Sequence, residues 1–570
     1  MDKLSPVYTL DNECQDCYKC IRRCPVKAIK IQDGRARVLP NRCIACGKCV
    51  APCPSSAKRV RSDIAAVKDL LSQNRKVYIS LAPSWRAAFS CALPSLIAAL
   101  KKLGFAGVSE TALGAQEVSI KTAELLNQAS AGLFISSACP VIVDYIHLYR
   151  PEMSRYIVPL ASPAQTHAKL LKQTYGEDIK VVFIGPCIAK KAEADHNPEL
   201  LSAALTFDEI DFWLKEAEID ITDEQNEAVV PTPANEGALY PLDGGMNETL
   251  KLVGLKDDVQ LTQVSSLHLF FATLDSVEAE KLTSPLFIEA LACAGGCING
   301  PCMSGKNALF NDVADIMKNV SYRQNIPHKP QVVAPLVFKR PAVAKPTYTV
   351  AEISEALKRI GKYTPEDEIN CAGCGYQTCR GLARALLSGD AEPSMCVSYM
   401  RALANKKVSA MLKSMPASMF MLDKDLRILE ANEAFIKEFT GDMCDDFLRD
   451  ASLLSSHPIS HFLPWGNMFG KVLTSGVEVH KDSYKFAGKY YDVHIFPIEK
   501  GESVGAIISD LSIARGNHEF VAKQAKEVIN KNIATVQKIA MLLGEHMVET
   551  ESILSAIADD YGAPEEEEGK

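Results

Sequence analysis

Several features that would assign this sequence to a class of protein are missing from it. The opening residues, MDKLSPVYTLDNEC, lack the basic start and apolar core of a secretory signal, and no apolar run is long enough to span a bilayer. The net charge of -8 over 570 residues gives no basic excess for nucleic-acid binding. No glycine pattern of a Rossmann or P-loop nucleotide site stands out. We therefore expect a cytoplasmic, globular protein of about three to five domains, with no nucleic-acid or membrane partner.

Cysteine, by contrast, is abundant, with 19 residues. A large chain without a secretory signal keeps its thiols reduced, so their spacing favours metal binding over disulfides. Two C-x2-C-x2-C-x3-C-P blocks open the chain, the pattern of bacterial two-cluster ferredoxins, in which the fourth cysteine of each block binds the other cluster. The blocks predict one [4Fe–4S] cubane on Cys14, Cys17, Cys20 and Cys53, and a second on Cys43, Cys46, Cys49 and Cys24.

A third set of cysteines lies far downstream, at Cys371, Cys374, Cys379 and Cys396. Its spacing resembles the small four-cysteine iron–sulfur domain found beside many redox proteins. We predict one further [4Fe–4S] cluster there. Zinc is the alternative, because four thiolates suit zinc as well.

Other cysteines occur in three stretches bounded by glycine or proline: LFISSACP, VVFIGPCIAKKAE and ACAGGCINGPC. The apolar run 131–135 in the first stretch predicts a buried strand. Alone, each cysteine would be read as a buried structural thiol. Strand ends that deliver cysteines to one place are, however, how an α/β sheet builds a site.

These three stretches resemble the signature motifs of [FeFe]-hydrogenases, and the resemblance covers roughly residues 1–320. It implies an H-cluster: a [4Fe–4S] cubane joined to a two-iron unit that carries CO, cyanide and an azadithiolate. The implied cubane ligands are Cys139, Cys187, Cys293 and Cys297, with Cys297 as the bridge. Lys190 and the pair Pro83-Ser84 match the family's cyanide contacts, and an ammonium suits an anionic ligand in a dry pocket.

The sequence departs from the family along its outward proton path. Ala138 stands where the family has a cysteine that passes protons, and a methyl group cannot carry one. Thr122 and Leu125 align with two expected carboxylates, although a one-residue slip would put Glu124 in place of Leu125. Val158 aligns with an expected serine. Since general acid–base steps contribute about 10²–10⁴-fold, we expect slow turnover.

Further departures lie beside the two-iron unit. Gly185 and Leu291 replace two methionines that flank it in the family. Cys302 falls where the family usually has glycine. It could act as another proton group, but a buried bystander is the reading we favour.

Residues 414–439, SMPASMFMLDKDLRILEANEAFIKEF, read as strand, turn, strand and helix, and resemble the opening of a PAS domain. EVHKDSYKFAGKYYDVHIFPIEKG and SVGAIISDLSIA resemble its closing antiparallel strands. His457 and His461 are candidate haem ligands, but surface or core histidines are the expected reading.

The last helix carries a heptad pattern that predicts a helix–helix seam, with packing on its own PAS domain as the equal alternative. The heptad positions are Ile529, Ile533, Val536, Ala540, Leu543, Met547, Thr550, Leu554 and Ile557. The acidic tail APEEEEGK should be disordered.

The predicted fold class is therefore multidomain, combining α+β and α/β parts. The predicted domains are a two-cluster ferredoxin-like domain (1–62), an H-cluster α/β domain (63–328), a linker or strap (329–348), a four-cysteine iron–sulfur domain (349–402), a PAS domain (408–515), a C-terminal helix (516–560) and a tail (561–570). This order resembles the sensory branch of the [FeFe]-hydrogenases.

The predicted function is slow, reversible H2 oxidation whose redox state is relayed through the clusters to the PAS domain. We expect H2 and protons as substrates, a ferredoxin or similar redox partner, maturation proteins, a homodimer, and a separate signalling protein such as a kinase or phosphatase. The alternatives are a metabolic hydrogenase with a different proton path, and an electron-transfer protein that has lost the two-iron unit.

Overall fold

The structure is a computed structural model that describes residues 3–73, 75–221, 227–303, 310–322, 330–344, 346–455, 457–511, 526–539 and 541. The chain divides into two compact units, Met1–Met395 and Cys396–Lys570. The boundary falls inside the predicted four-cysteine domain, so that Cys396 begins the second unit. None of the described helices is long and apolar enough to cross a membrane.

The N-terminal region of the first unit is built from two short antiparallel strand pairs and one helix. These are β1 (Val7–Thr9), α1 (Lys19–Arg23), β2 (Ile29–Gln32), β3 (Arg35–Val38) and β4 (Lys58–Val60). Strand β1 pairs with β4, and β2 pairs with β3. Asp33 and Gly34 join β2 to β3 with positive φ angles, the backbone of a two-residue hairpin turn that Asp-Gly favours.

Two parallel sheets form the middle of the first unit, with strand orders β6-β5-β8-β9 and β10-β11-β7. The strands are β5 (Val77–Leu81), β6 (Gly107–Glu110), β7 (Gly132–Ile135), β8 (Lys180–Gly185), β9 (Ala203–Thr206), β10 (Gln260–Ser265) and β11 (Pro285–Leu291). Strands β5 and β8 are buried along almost their whole length, as expected of strands that are covered on both faces.

Helices connect and follow these strands. They are α2 (Ile64–Ser72), α3 (Trp85–Ala88), α4 (Leu93–Lys102), α5 (Ala112–Gln128), α6 (Pro140–Tyr149), α7 (Pro163–Tyr175), α8 (Ala189–His196), α9 (Phe207–Glu216), α10 (Gly245–Leu252), α11 (Leu267–Ser276) and α12 (Phe310–Lys318). Cys139 caps α6 and Pro140 is its first residue, a position that suits proline because the first N–H of a helix has no partner. The predicted apolar strand is therefore formed, and a cysteine and then a helix follow it.

Residues 330–344, which we call the strap, run along the first unit without helix or strand. The N–H of Leu336 donates to the carbonyl of Pro159, and that of Val343 to the carbonyl of Leu148. The segment is therefore held across the domain and is not a loose linker.

The last part of the first unit contains α13 (Val350–Lys358) and α14 (Cys379–Leu387). It packs on the N-terminal region. Asp390 forms an ion pair with Arg42 at 2.6 Å, and its carbonyl accepts from the N–H of Ile31 at 3.0 Å. The two cysteine-rich regions of the first unit are therefore direct neighbours.

The second unit, in its described residues, is built on an antiparallel sheet of order β13-β12-β16-β15-β14. Its elements are α15 (Val397–Ser414), β12 (Ser418–Asp423), β13 (Ile428–Ala431), α16 (Glu433–Phe439), α17 (Cys444–Arg449), α18 (Gly466–Ser475), β14 (Val479–Phe486), β15 (Lys489–Glu499) and β16 (Ser503–Asp510). The sequence predicted two strands, a helix and closing antiparallel strands, and the described residues form two strands, three helices and three closing strands in that order. Phe420, Phe435 and Phe469 lie in its core.

A further helix, α19, covers 526–539. Its Val536 packs with Ala417, Met419 and Ile507 of the same unit. This contact favours the alternative in which the helix packs on its own domain. The heptad positions from Ala540 to Ile557 and the acidic tail lie outside the described residues.

Candidate active site

The carboxyl ends of four strands meet at one cavity of the first unit. Its empty volume is about 850 Å³. Strand β5 leads to Pro83-Ser84, β7 to Ala138-Cys139, β8 to Cys187, and β11 ends at Leu291 just before Cys293, and all of these residues line the cavity. Strands β5 and β8 belong to one sheet, and β7 and β11 to the other. The site therefore lies between the two sheets, at the carboxyl ends of their strands, where parallel sheets bind ligands.

Four thiols meet in this cavity, those of Cys139, Cys187, Cys293 and Cys297. Burial raises the pKa of Cys187 to about 11, and the nearby thiol of Cys139 adds to the rise. Burial also raises the pKa of Cys297, and Cys139 and Cys187 raise it further. Cys139 is buried and the other three cysteines are partly buried. Four such mutually close thiols are stable as thiolates only around a cationic group, which is what an iron–sulfur cubane provides.

The cavity walls fit the rest of an H-cluster. They are almost entirely apolar, as a dry metal site requires, yet the polar residues Ser84 and Lys190 are among those that line them. The hydroxyl of Ser84 is fully buried and has no hydrogen-bond partner in the part of the chain that the structure describes. Lys190 is also buried, and its Nζ donates to the Ser162 hydroxyl at 2.8 Å and to Glu193. A buried donor without a partner is costly, so Ser84 is suited to a bound acceptor such as cyanide.

The predicted proton-path positions lie in apolar surroundings. Ala138 packs against an apolar cluster that contains Val158 and, at its edge, Leu125. Thr122 of α5 is fully buried, and its hydroxyl has no partner among the described residues. Glu124, the alternative to Leu125, forms an ion pair with Lys121 at 2.7 Å on the partly exposed side of the helix. The chain thus places no carboxylate at these positions beside Ala138.

The two positions aligned with the flanking methionines differ in their surroundings. Leu291 lines the cavity, whereas Gly185 does not. A Cβ at Gly185 would lie 2.6 Å from Cζ of Phe183, whose ring lines the cavity instead. Phe183 was not among the predicted site residues, because sequence spacing does not show that its ring folds over Gly185.

The N-terminal cysteines are predicted to form two groups, one of Cys14, Cys17, Cys20 and Cys53 and one of Cys43, Cys46, Cys49 and Cys24. Burial raises the pKa of Cys20 to about 11, and Cys17, Cys14 and Cys53 contribute to the rise. Burial raises the pKa of Cys49 too, and Cys43, Cys46, Cys24 and Cys20 raise it further. Cys20 of the first group is thus also a neighbour of Cys49 in the second, and the division of these cysteines between two clusters stays a prediction.

The second of these groups lies next to the cavity. Cys46 is close enough to Cys293 to contribute to its raised pKa, which is caused mainly by burial. A Cβ at Gly47 would lie 2.8 Å from both Ile188 and Pro301. Glycine therefore lets the Cys46 loop approach the segments that carry Cys187 and Cys297. The Cys46 loop and the cavity are therefore direct neighbours.

The downstream cysteines lie on both sides of the division between the units. Cys374 is buried in the first unit, Cys371 is exposed, Cys379 begins α14, and Cys396 caps α15 in the second unit. Gly375 closely approaches α1: a Cβ there would lie 2.7 Å from Cγ2 of Ile21. The assignment of these four cysteines to one cluster stays a prediction.

The other candidate residues take little part in the site. Cys302 is buried but is not among the residues that line the cavity, and its N–H donates to the carbonyl of Pro186. This placement favours the bystander reading. In the second unit, the rings of His457 and His461 lie 6.1 Å apart with His461 exposed, which gives no sign of a haem pocket among the described residues.

Sequence reasoning missed a buried carboxyl on β11. Glu289 is 1% exposed, and its Oε2 accepts from the N–H of Asn247 at 2.9 Å, while its Oε1 has no partner in the described structure. Burial raises its pKa to about 7. It is close enough to Cys297 to contribute to that thiol's raised pKa. An acidic residue inside an otherwise apolar strand, LFIEAL, was the available signal.

The fold and the grouped thiols define an oxidoreductase-type protein that binds several iron–sulfur clusters. Family models agree: residues 6–54 match the 4Fe-4S dicluster domain, 367–398 an Fe-S cluster domain, and 75–301 the iron only hydrogenase large subunit, C-terminal domain.

The chain is 30% identical over 375 residues to the periplasmic [Fe] hydrogenase large subunit of Nitratidesulfovibrio vulgaris, covering 53% of this chain and 88% of that protein. It therefore belongs to the [FeFe]-hydrogenase large-subunit family, with an H-cluster-binding domain and iron–sulfur domains.

Solved structures with a similar fold include a variant of the [FeFe]-hydrogenase HydA1 from Chlamydomonas reinhardtii. It is 17% identical, with a TM-score of 0.39, and the match covers 50% of this chain and all of that one. The PAS domain of the nitrogen regulation protein NR(II) from Vibrio parahaemolyticus is 18% identical with a TM-score of 0.15, covering 18% of this chain and 96% of that one. Neither likeness adds to the family assignment.

Proposed function

We propose that this protein is a sensory [FeFe]-hydrogenase, which binds H2, oxidises it slowly and reversibly, and passes its redox state to the second unit. The observation that carries the proposal is the apolar cluster around Ala138. This position would receive protons from the catalytic group, and Ala138 packs against an apolar cluster that includes Val158 and Leu125. A site that holds H2 but moves protons slowly is suited to reporting H2 more than to consuming it.

Different residues of the cavity would bind different parts of the H-cluster. Cys139, Cys187, Cys293 and Cys297 would bind the cubane, with Cys297 as the bridge. Lys190 and Ser84 would donate hydrogen bonds to cyanide, and the surrounding apolar side chains would exclude water, which strengthens those bonds. When bound, the H-cluster supplies a Lewis-acidic iron and an amine base for heterolytic cleavage of H2.

Electrons would leave by way of the N-terminal cubanes, the second of which is next to Cys293. The downstream iron–sulfur domain packs directly on this N-terminal region, through Arg42 and Asp390. It would take up the electrons and signal to the second unit.

We propose a ferredoxin or similar protein as redox partner, and a homodimer that acts on a separate kinase or phosphatase.

The order of strands and helices in the second unit supports its interpretation as a PAS domain. Such domains sense or relay signals, and this role would connect the redox state of the clusters to a partner. Helix α19 packs on this unit through Val536, so a change in the sheet would reach the helix directly.

The test is the turnover of full-length, matured protein beside Ala138→Cys, with a fast family member in the same assay. Slow wild-type turnover is expected, about 10²–10⁴-fold below that enzyme, the size of a lost acid–base group. Ala138→Cys should change the states that accumulate under H2 in infrared spectra, with less than a tenfold gain in rate, because Val158 and Leu125 still interrupt the path. Wild-type turnover at the rate of the fast enzyme would refute the sensory proposal.

A metabolic hydrogenase with a different proton path is the second candidate, and Glu289 favours it. A buried carboxyl with a pKa of about 7 beside the thiol group is a suitable acid–base residue. Fast wild-type turnover that is lost in Glu289→Gln would establish this candidate. Absence of CO and cyanide infrared bands after maturation would contradict both.

A further inference from the structure

A second, polar cavity lies beside the active site. It has an empty volume of about 490 Å³, and it shares Pro140 with the first cavity. Its polar lining comes from α6, α7, α8 and the strap, and includes Asp144, Gln165, Glu193, His196 and Arg340. Lys190 joins the two cavities, because it lines the first and donates to Ser162 and Glu193, which line the second. The polar cavity is thus connected to the proposed cyanide contact.

A largely buried ion pair lines this cavity. Nη1 of Arg340 donates to Oδ2 of Asp144 at 2.7 Å, and each side chain is only 12% exposed. Nη2 of Arg340 donates to the carbonyls of Pro40 at 3.1 Å and Cys43 at 3.0 Å. Cys43 belongs to the second N-terminal thiol group. A single guanidinium therefore contacts both Asp144 and the loop expected to hold the second cubane.

The strap holds Arg340 at this position. Nζ of Lys339, the residue before Arg340, donates to the carbonyl of His196 at 3.2 Å. The backbone N–H groups of Leu336 and Val343 hold the strap to the carbonyls of Pro159 and Leu148. Because the strap fixes Arg340, its guanidinium stays in place when the charge at Asp144 or at the Cys43 loop changes. A charge added at the cubane should therefore be felt at Asp144 through electrostatics, not through loss of the contact.

Asp144 faces a nearly balanced set of charges. Arg340 approaches from the strap, while Glu193, paired with Lys190, and His196 approach from α8. Burial raises the pKa of Asp144 to about 7, with Glu193 adding to the rise and Arg340 opposing it. The carboxyl is thus close to changing its protonation state near neutral pH, unlike an exposed aspartate.

We propose that Asp144 binds a proton when the second N-terminal cubane accepts an electron. One electron added beside Cys43 offsets part of the positive charge of Arg340, which favours the neutral carboxylic acid. Oxidation of one H2 supplies two electrons and two protons. One electron reduces the cubane and one proton forms an O–H bond on Asp144, while the others pass to the remaining clusters and to solvent. The inference requires the cubane at Cys43, not slow turnover.

The test is a redox titration of full-length protein reconstituted with [4Fe–4S] clusters but without the two-iron unit, so that it does not depend on hydrogenase activity. The midpoint potential of the signal lost in Cys46→Ser should fall as pH rises around neutrality. The slope should approach about 59 mV per pH unit, because each unit is a tenfold change in proton concentration for one electron. Asp144→Asn should abolish the slope, whereas Asp275→Asn, which changes an exposed carboxylate, should keep it.

A second measurement decides the matter if Asp144→Asn does not fold. The infrared difference spectrum of reduced minus oxidised wild-type protein should gain the carbonyl stretch of a protonated carboxylic acid, shifted by isotope labelling of aspartate. A potential independent of pH, a slope that persists in Asp144→Asn, or a difference spectrum without that aspartate band would overturn the proposal.

Discussion

The two walls of the active-site cavity differ in polarity. On one wall, Lys190 and Ser84 bring polar groups to an otherwise dry site, and behind Lys190 lies a polar cavity. On the other wall, Ala138 joins the apolar cluster of Val158 and Leu125. The chain thus has the groups suited to holding a cyanide-bearing cofactor, and it lacks side chains suited to moving protons at the aligned positions. Binding and turnover are separable properties of one cavity.

The largest expected effect on H2 turnover comes from removing the cofactor that the two walls of the cavity would enclose. Cys297→Ser should abolish H2 turnover and prevent retention of the two-iron unit, because the bridging thiolate is gone. Iron content and the CO and cyanide infrared bands measure this directly. Cys302→Ser is the matched control, because Cys302 is buried nearby but does not line the cavity. If Cys302→Ser lost the bands as well, Cys302 would be part of the site and not a bystander.

Substitution of Lys190 on the polar wall should have the next largest effect, on the free energy of unfolding and on the cyanide bands. Lys190→Ala leaves Glu193 buried without its partner, and breaking a buried pair in this way destabilises a protein by about 3–5 kcal/mol. We expect this loss in denaturant unfolding, together with weaker or shifted cyanide bands. Lys121→Ala removes the partly exposed Lys121–Glu124 pair and should cost less than about 1 kcal/mol. Equal losses in the two variants would show that Lys190 has no special role.

Glu289, which belongs to neither wall as defined, allows a smaller test through pH. Its folded pKa of about 7 lies above the ordinary 4.5. The stability that a carboxyl with a raised pKa contributes is present below its unfolded pKa and is lost as pH rises through the folded pKa. Glu289→Gln should therefore gain up to roughly 3 kcal/mol relative to wild type between about pH 5 and pH 8. A difference between the two proteins that does not change with pH would mean that Glu289 titrates normally.

The parts of the molecule that could be predicted from the sequence depend on short-range rules. Cysteine spacing predicted an iron–sulfur domain in the N-terminal region, which the match of residues 6–54 to the 4Fe-4S dicluster domain supports, because ligand loops are local. The three apolar runs predicted strands that end at cysteines, and parallel strands place such ends together. These rules brought Cys139, Cys187 and Cys293 into one cavity.

The contacts that could not be predicted join segments far apart in the chain. Arg340 reaches Asp144 and Cys43 because the strap crosses the first unit, and a proline-rich stretch does not reveal its path. Phe183 enters the cavity because the backbone at Gly185 leaves room for its ring. In the sequence, Glu289 is a single polar residue in an apolar strand, and only the structure shows that its carboxyl is buried.

The smallest expected effect concerns the alignment on α5. A shift of one residue would assign Glu124 to the proton path and restore a carboxylate to the apolar wall. The structure instead places Glu124 beside Lys121, with a side chain 35% exposed. Glu124→Gln should therefore change stability by less than about 0.5 kcal/mol and leave H2 turnover unaltered, since partly exposed pairs on a helix contribute little. Leu125→Ala, one position along, is the matched control for a change in helix packing. A tenfold loss of turnover in Glu124→Gln alone would mean that protons do cross the apolar wall by way of α5, and the contrast between the two walls would no longer hold.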